Sequence, residues 1–206
     1  MRIEKEIILV GGGGHCRSCI DLLEQRAEFR IAGIVDVSEK KGDQVLGYDI
    51  FAEDAELPSL VPRFKNFLIT IGQIKSASLR KKSFVSICEL GGMLPIVVSP
   101  LAYVSRYAEI GKGTVILPYA MVGAGAKVGE NCIINTQALV EHDAVVGDHC
   151  HLATGSIVNG GAQIGDEVFL GSGAVVRELT VIAKKNIIGC GVAVTGNVET
   201  AGGVVI

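Results

Sequence analysis

The segment AMVGAGAKVGENCIINTQALVEHDAVVGDHC, residues 120–150, carries an aliphatic side chain at every sixth position. The same spacing continues without interruption over residues 104–194. The aliphatic positions are Val104, Ile110, Ile116, Val122, Val128, Ile134, Val140, Val146, Leu152, Val158, Ile164, Leu170, Val176, Ile182, Ile188 and Val194. Neither an amphipathic helix, with a period near 3.6, nor a two-faced strand, with a period of 2, produces this pattern. We therefore interpret each hexad as a short strand followed by a turn.

Three hexads make one triangular coil of 18 residues, and stacked coils bring identical positions into ladders. Every eighteenth residue from Val104 to Val194 is valine, which supports this arrangement. Cys132 and Cys150 are also 18 residues apart, at the small position of the hexad, so we expect them to fill the core. A narrow interior of this kind explains how a chain that is 49% hydrophobic contains only 5% aromatic residues.

Composition excludes several classes of protein. The 206-residue chain has a net charge of -3, and its longest basic run is Arg80-Lys81-Lys82, so we expect no nucleic-acid partner. Its six cysteines include one C-x-x-C and no second pair to complete a zinc site, so we expect no metal. No apolar run approaches the roughly 20 residues that span a bilayer, and no signal-peptide pattern is present. These features predict a cytoplasmic protein.

The first half predicts a small α/β domain. Strand EKEIILV (4–10) leads into four glycines that open a helix, and strand RIAGIVD ends at Asp36. Strand FLITIG (67–72), a helix over residues 76–90 and strand LPIVVSP (94–100) complete a parallel βαβ-type unit. We predict a Rossmann-like domain over residues 1–100 and a repeat domain over residues 101–206. About 100 residues is half of a dinucleotide fold, which argues against an NAD-linked oxidoreductase.

The Gly-rich turn between the first strand and its helix is a candidate anion site. Backbone N–H groups and the helix dipole favour negative charge there, and a phosphate is the natural ligand. Asp36, after the second strand, is suited to accept hydrogen bonds from a ribose or a base. A solvated Asp at the end of a loop is an equally good interpretation of the same residue.

The Gly-Gly-His turn at 13–15, followed by Arg17, resembles the PglD and NeuD family of sugar acetyltransferases. That family carries a G-x-x-G-H turn, an Asp after the second strand, a G-N-x stretch and then hexapeptide repeats, in the order found here. Arg17 replaces the commoner Lys, and Gln73 stands where Asn is usual. The resemblance implies an N-terminal Rossmann-like domain followed by a left-handed parallel β-helix, acetyl-CoA as co-substrate, and a homotrimer with active sites between neighbouring prisms. It assigns the nucleotide sugar to Gly13, Gly14, His15, Arg17, Asp36, Gly72 and Gln73.

Four histidines are available for proton transfer, and one of them matches the family's general base. His142 stands two positions after Val140 and should point away from the core, although a surface histidine at a turn fits the residues alone. The resemblance makes His142 the base and Asp143 the carboxylate that orients it. It also assigns His151, Gly160 and Cys190 to acetyl-CoA. His149 has no counterpart in the family, and we expect it to face solvent.

These residues lead to three functional hypotheses. The first is N-acetylation of a nucleotide-linked 4-amino-4,6-dideoxy sugar for surface glycan synthesis, by direct transfer from acetyl-CoA. The second is O-acetylation of sialic acid or another nonulosonate; the free acid carries no nucleotide, so UDP binding would favour the first. The third is a non-catalytic trimeric scaffold, which acetyl-CoA would not stabilise against heat.

Overall fold

The computed structural model describes residues 5–26 and 28–206, which form two compact units. The first unit takes the chain up to Gly72 together with Ser78–Pro95. The second takes Gln73–Ala77 together with Ile96–Ile206. The short segment 73–77 therefore groups with the repeat, although the residues on both sides of it belong to the first unit.

The first unit is built on a five-stranded sheet of order β3-β4-β2-β1-β5. Its strands are β1 (Lys5–Val10), β2 (Phe29–Asp36), β3 (Gln44–Val45), β4 (Tyr48–Glu53) and β5 (Asn66–Ile69), and its α-helices are α1 (Gly14–Glu24), α2 (Leu57–Leu60) and α3 (Ser78–Glu89). All pairings are parallel except that of β3 with β4. The predicted parallel α/β unit is confirmed.

The central strand β1 brings the Gly-rich turn to the carboxyl edge of this sheet. Its residues from Ile7 to Val10 are fully buried, as expected for a strand flanked by neighbours on both sides. Gly11 follows with φ of +107°, and a Cβ there would lie 2.5 Å from the side chain of Ile71. Only glycine fits such a conformation at so close an approach, so the chain can turn from β1 directly into α1.

The second unit is a parallel β-helix with three faces. Face A contains β7 (Tyr103–Val104), β10 (Met121–Val122), β13 (Leu139–Val140), β16 (Ile157–Val158), β19 (Val175–Val176) and β22 (Ala193–Val194). Face B contains β8 (Glu109–Ile110), β11 (Lys127–Val128), β14 (Val145–Val146), β17 (Gln163–Ile164) and β20 (Val181–Ile182). Face C contains β6 (Val97–Val98), β9 (Val115–Ile116), β12 (Ile133–Ile134), β15 (His151–Leu152), β18 (Phe169–Leu170), β21 (Ile187–Ile188) and β23 (Val204–Val205).

The inward ladders match the prediction from the six-residue period. Fourteen of the sixteen aliphatic positions are buried in one core cluster, and Val104 and Ile110 at its start are partly buried. Cys132 and Cys150 are fully buried within the same cluster, so their predicted role as core fillers is confirmed.

The turns of the β-helix combine residues of positive φ with closely packed glycines. Every sixth residue from Gly113 to Gly191 has a positive φ, and eight of these fourteen positions are not glycine. The glycine that follows many of the aliphatic residues serves a different purpose. A Cβ on Gly171, for example, would lie 2.6 Å from the backbone N of Cys190 in the next coil. These glycines are needed because successive coils stack closely.

The prediction that LPIVVSP completes the N-terminal sheet is wrong. Strand β6 pairs in parallel with β9, so Val97 and Val98 belong to face C of the β-helix. Val98 lies six residues before Val104 and 18 before Ile116, so it extends the repeat by one hexad. An apolar run of this kind fits a strand of either sheet. The register of Val98 with Ile116 is what places it in face C.

Across residues 5–26 and 28–206, the helices are too short or too polar for any one of them to traverse a bilayer.

Candidate active site

His142 and Asp143 form a hydrogen-bonded pair at the corner between faces A and B. The His142 Nδ1 to Asp143 Oδ2 distance is 2.9 Å. Because a carboxylate can only accept, Nδ1 carries the proton and Nε2 is left with its lone pair. Asp143 occupies one of the positive-φ positions, with φ of 60°, a conformation that Asp tolerates better than most residues. The local turn therefore presents a basic nitrogen to solvent.

Two glycines in the adjacent coils make room for this pair. A Cβ on Gly125, in the preceding coil, would lie 2.5 Å from Asp143 Oδ1. A Cβ on Gly160, in the following coil, would lie 2.8 Å from His142 Nε2. Gly160 therefore leaves open the space next to the basic nitrogen, and His142, Asp143 and Gly160 are brought together as one site.

The pair opens into a surface pocket with a volume of about 560 Å³. Of its eight lining residues, three are carboxylates (Glu141, Asp143 and Glu178), and none is Lys or Arg. Leu179 adds an apolar wall, and its side chain lies over Gly161. The pocket thus combines one base with an acidic surrounding, which favours a cationic group over an anionic one.

Replacement of Asp143 with Asn should lower the pKa of His142. The hydrogen bond that His142 donates to Asp143 is the main cause that raises the pKa of this exposed imidazole above its ordinary value of 6.5, and the charges of Asp143 and Glu141 add to it. Removing that carboxylate therefore moves the titration to lower pH. An NMR titration of the His142 Cε1–H signal measures the shift, with Asp21→Asn on the exposed side of α1 as the matched control. An identical titration curve in wild type and Asp143→Asn would contradict the assignment.

His151 lies on face C in a buried hydrogen-bond network. Its Nδ1 is 2.5 Å from the backbone carbonyl oxygen of Gln73, and its Nε2 is 3.1 Å from Asn135 Nδ2. Its ring makes an edge-to-face contact with Phe169, with centroids 5.2 Å apart. The imidazole is therefore held on three sides, while only 8% of the residue is exposed.

His149 is not solvent-facing, so the expectation for it is wrong. It is only 8% exposed, Asn131 Nδ2 lies 3.0 Å from its Nδ1, and its carbonyl oxygen accepts a hydrogen bond from Gln73 Nε2 at 2.9 Å. Gln73 lies 76 residues before His149 in the chain. The six-residue period therefore gives no indication that Gln73 contacts His149.

Asn135 is a polar residue of the site that the sequence reasoning missed. Its Oδ1 accepts a hydrogen bond from the backbone N–H of Thr136, and its Nδ2 faces His151. The available signal was its position directly after Ile134, where Gly stands in seven other hexads. A polar side chain at a position that usually lacks one indicates a specific contact.

Cys190 lies apart from His142. It is exposed at the corner between faces C and A, whereas His142 and Gly160 occupy the corner between faces A and B. Both corners border face A. Within one chain the predicted donor-site residues are therefore distributed over two corners of the prism, with Gly160 at one and Cys190 at the other, and over face C, which carries His151.

The Gly-rich turn of the first unit has the features of an anion site. Gly13 is the N-cap of α1 without a side-chain cap, and space for a Cβ is open at both Gly13 and Gly14. His15 is half-buried, with its Nε2 3.5 Å from the thiol of Cys19, while Arg17 is exposed. Gly72 is in contact with His15, since a Cβ there would lie 3.6 Å from His15 Cβ. These residues come together around the start of α1.

Asp36 binds the turn itself. Its Oδ2 accepts hydrogen bonds from the Gly12 N–H at 2.7 Å and from Lys40 Nζ at 2.9 Å, and its Oδ1 accepts from the Val37 N–H. Burial opposes ionisation, but the hydrogen bonds from Lys40, Val37 and Gly12 outweigh it and lower the pKa of Asp36. The carboxylate is therefore charged and holds Lys40 at the edge of the turn.

The C-x-x-C cysteines lie beneath this turn as protonated thiols. Burial raises the pKa of Cys16 to about 11 and that of Cys19 to about 12. Neither sulfur is a thiolate near neutral pH, so neither is suited to nucleophilic attack. Among the residues that the structure describes, no group of three or more His, Cys, Asp or Glu could hold a metal ion.

Comparison with family models gives two matches that together reach both units. Residues 6–86 match the PglD N-terminal domain, and residues 107–142 and 143–178 match the bacterial transferase hexapeptide (six repeats). A search of curated protein sequences gives no significant match.

Solved structures share the fold over nearly the whole chain. A perosamine N-acetyltransferase from Caulobacter crescentus, a histidine-to-asparagine variant in complex with CoA and GDP-perosamine, is 30% identical, covers 95% of this chain and 92% of its own, and has a TM-score of 0.88. PerB from Caulobacter crescentus, in complex with the same two molecules, is 31% identical over 93% of this chain and 89% of its own, with a TM-score of 0.86. The acetyltransferase domain of PglB from Neisseria gonorrhoeae FA1090 is 26% identical, with coverage of 98% and 96% and a TM-score of 0.89. The chain therefore belongs to the PglD-type family of hexapeptide-repeat sugar acetyltransferases, with an α/β domain followed by a left-handed parallel β-helix, and it is an acyltransferase.

Proposed function

We propose that this enzyme transfers an acetyl group from acetyl-CoA to the amino group of a nucleotide-linked 4-amino-4,6-dideoxy sugar destined for a surface glycan. The observation that carries the proposal is the acidic pocket around His142, with three carboxylates and no basic lining residue. An amino sugar that arrives as an ammonium ion is attracted to such a pocket. The carboxylate of a free sialic acid is repelled, which disfavours the O-acetylation hypothesis.

In the proposed mechanism, the ammonium group first releases one proton to solvent, which gives the neutral amine with its lone pair. His142 Nε2 then removes a second proton from the sugar nitrogen as that nitrogen attacks the thioester carbonyl. The C–N bond forms, the tetrahedral intermediate collapses, and the C–S bond breaks. The protonated imidazole then returns the proton to the leaving sulfur, which gives the amide and free CoA thiol. Asp143 holds the Nδ1–H tautomer and stabilises the imidazolium that forms in between.

The donor site in this proposal includes His151, Gly160 and Cys190. Gly160 supports it because its backbone lies next to His142 Nε2, where a Cβ would clash with the imidazole. Cys190 would contribute its backbone at this exposed corner. His151 would contact the acyl donor through the orientation that its hydrogen bonds impose.

The nucleotide site in this proposal is the Gly-rich turn of the first unit. Its phosphates would lie on the uncapped N-terminus of α1, with Arg17 and Lys40 as neighbouring cations. Asp36 would hold the turn and Lys40 in place. Gly13, Gly14, His15 and Gly72 complete the proposed contact surface.

A homotrimer is proposed on the outer surface of face A. Outward residues of that face are apolar in successive coils: Tyr103, Met121, Leu139, Ile157 and Val175. The outward residues of face B are mixed: Glu109, Lys127 and Gln163 are polar, while Val145 and Val181 are apolar. An apolar stripe on one face is best covered by further copies of the chain, and both site-bearing corners border that face.

An assay of free thiol release from acetyl-CoA tests the function. We expect turnover with at least one UDP-, dTDP- or GDP-linked 4-amino sugar and none with free sialic acid. Glu178→Lys should raise the KM for the amino sugar because it reverses one of the three pocket charges. Glu199→Lys, at an exposed position outside the pocket, is the matched control. Turnover of sialic acid alone would favour the second hypothesis, and no turnover together with no thermal stabilisation by acetyl-CoA would favour the scaffold.

A further inference from the structure

A chain of hydrogen bonds runs from the backbone of Thr136 to the backbone of His149 and passes through His151. The Thr136 N–H donates to Asn135 Oδ1 at 2.8 Å, and Asn135 Nδ2 lies 3.1 Å from His151 Nε2. His151 Nδ1 lies 2.5 Å from the Gln73 carbonyl oxygen, and Gln73 Nε2 donates to the His149 carbonyl oxygen at 2.9 Å.

The direction of every bond in this chain is determined by backbone groups. A backbone N–H can only donate, so the Asn135 oxygen faces Thr136 and its NH₂ group faces His151. A backbone carbonyl can only accept, so His151 Nδ1 must carry a proton. His151 Nε2 is then the acceptor for Asn135. The two ends together specify one neutral tautomer of His151.

We propose that Gln73 is a positioning residue that holds His151 in the Nδ1–H tautomer and in the ring orientation required at the acyl-donor site. The inference rests on the proposed role of His151 in binding the acyl donor. Gln73 would therefore act on the reaction through His151, without touching the reacting atoms.

The Gln73 side chain is what keeps its carbonyl oxygen at His151. Gln73 is only 3% exposed, and its amide is anchored to the His149 carbonyl, two residues from His151. Gln73 therefore contacts residues 149–151 twice. Its side chain binds the His149 carbonyl, and its backbone carbonyl binds the His151 ring. Without the side-chain anchor, the carbonyl would no longer be fixed against the imidazole.

Long-range ¹H–¹⁵N NMR of the four histidines of the full-length protein tests the proposal, because it distinguishes the two neutral tautomers. In wild type, His151 should show a protonated Nδ1 and an unprotonated Nε2. Gln73→Glu replaces the donating NH₂ with an oxygen facing the His149 carbonyl, so the hydrogen bond from His151 Nδ1 to the Gln73 carbonyl should weaken and the Nδ1 signal of His151 should shift. Gln163→Glu, the same change at an exposed position on face B, is the matched control.

Steady-state kinetics provide the second readout. In Gln73→Glu the KM for acetyl-CoA should rise about 10-fold, as expected when one buried hydrogen bond is lost. Gln73→Met keeps the volume but has no amide, and should show the same change in the His151 spectrum.

An Nε2–H tautomer of His151 in wild type would overturn the proposal without reference to any variant. So would an unchanged His151 spectrum in folded Gln73→Glu or Gln73→Met. The NMR readout needs no turnover, so failure of this inference can be told apart from failure of the proposed function, which would appear as absence of acetyl transfer by wild type.

Discussion

Replacement of His142 with alanine should lower kcat by roughly 10²–10⁴-fold, the contribution that a positioned general base typically makes. His142 Nε2 is the basic nitrogen in the pocket, and Asp143 holds the proton on Nδ1. The affinity for acetyl-CoA should change little, because His151 and Cys190 lie outside the pocket and the substitution leaves the backbone of Gly160 unchanged. Single-turnover rates and equilibrium binding of acetyl-CoA measure the two effects separately.

Two further variants sharpen this test. His142→Gln keeps a polar side chain without a basic nitrogen and should lose as much activity as His142→Ala. Added imidazole should restore part of the activity of His142→Ala, since it can enter the space beside Gly160. Lys127→Ala, an exposed change on face B, should retain full activity. Near-normal turnover in His142→Ala would remove His142 from the role of base.

Replacement of Gly171 with alanine should lower the free energy of unfolding by about 2–3 kcal/mol, as overpacking a tightly packed site does. A Cβ at this position would lie 2.6 Å from both the N of Cys190 and the C of Gly189. These are backbone atoms of the next coil and cannot rotate away. Urea unfolding at a fixed protein concentration should show a lower midpoint.

Gly196→Ala is the matched control for that substitution. No atom lies within 4 Å of a Cβ at Gly196, and its φ is not positive, so its midpoint should match that of wild type. Equal midpoints for Gly171→Ala and wild type would mean that the coils can separate at no cost. The close-stacking explanation for the glycines after the aliphatic ladder would then be wrong.

The period of six was sufficient to predict the β-helix because its contacts repeat at a fixed distance along the chain. A residue such as Val140 pairs with Val122 and Val158, both 18 positions away, so a ladder in space is also a ladder in the sequence. The pairing of His142 with Asp143 was equally accessible, since consecutive residues at one turn lie close together in any arrangement of the rest.

The burial of His149 and its contact with Gln73 could not be predicted from the period of six. Gln73 lies 78 residues before His151, and no periodicity relates the two positions. The segment LPIVVSP illustrates the same limit, because an apolar run satisfies either of two sheets. Only the register of Val98 with Ile116 decides between them.

The amino-acid sequence alone establishes which side chains face the interior of the β-helix, where its turns occur and that His142 stands next to Asp143. The folded chain settles which polar groups meet around His151, how Gly125 and Gly160 make room for the His142–Asp143 pair, and that the pocket beside it is acidic. The physical reason is that local periodicity specifies contacts at constant chain separation. A hydrogen bond between Gln73 and His149 depends instead on the path of the whole chain.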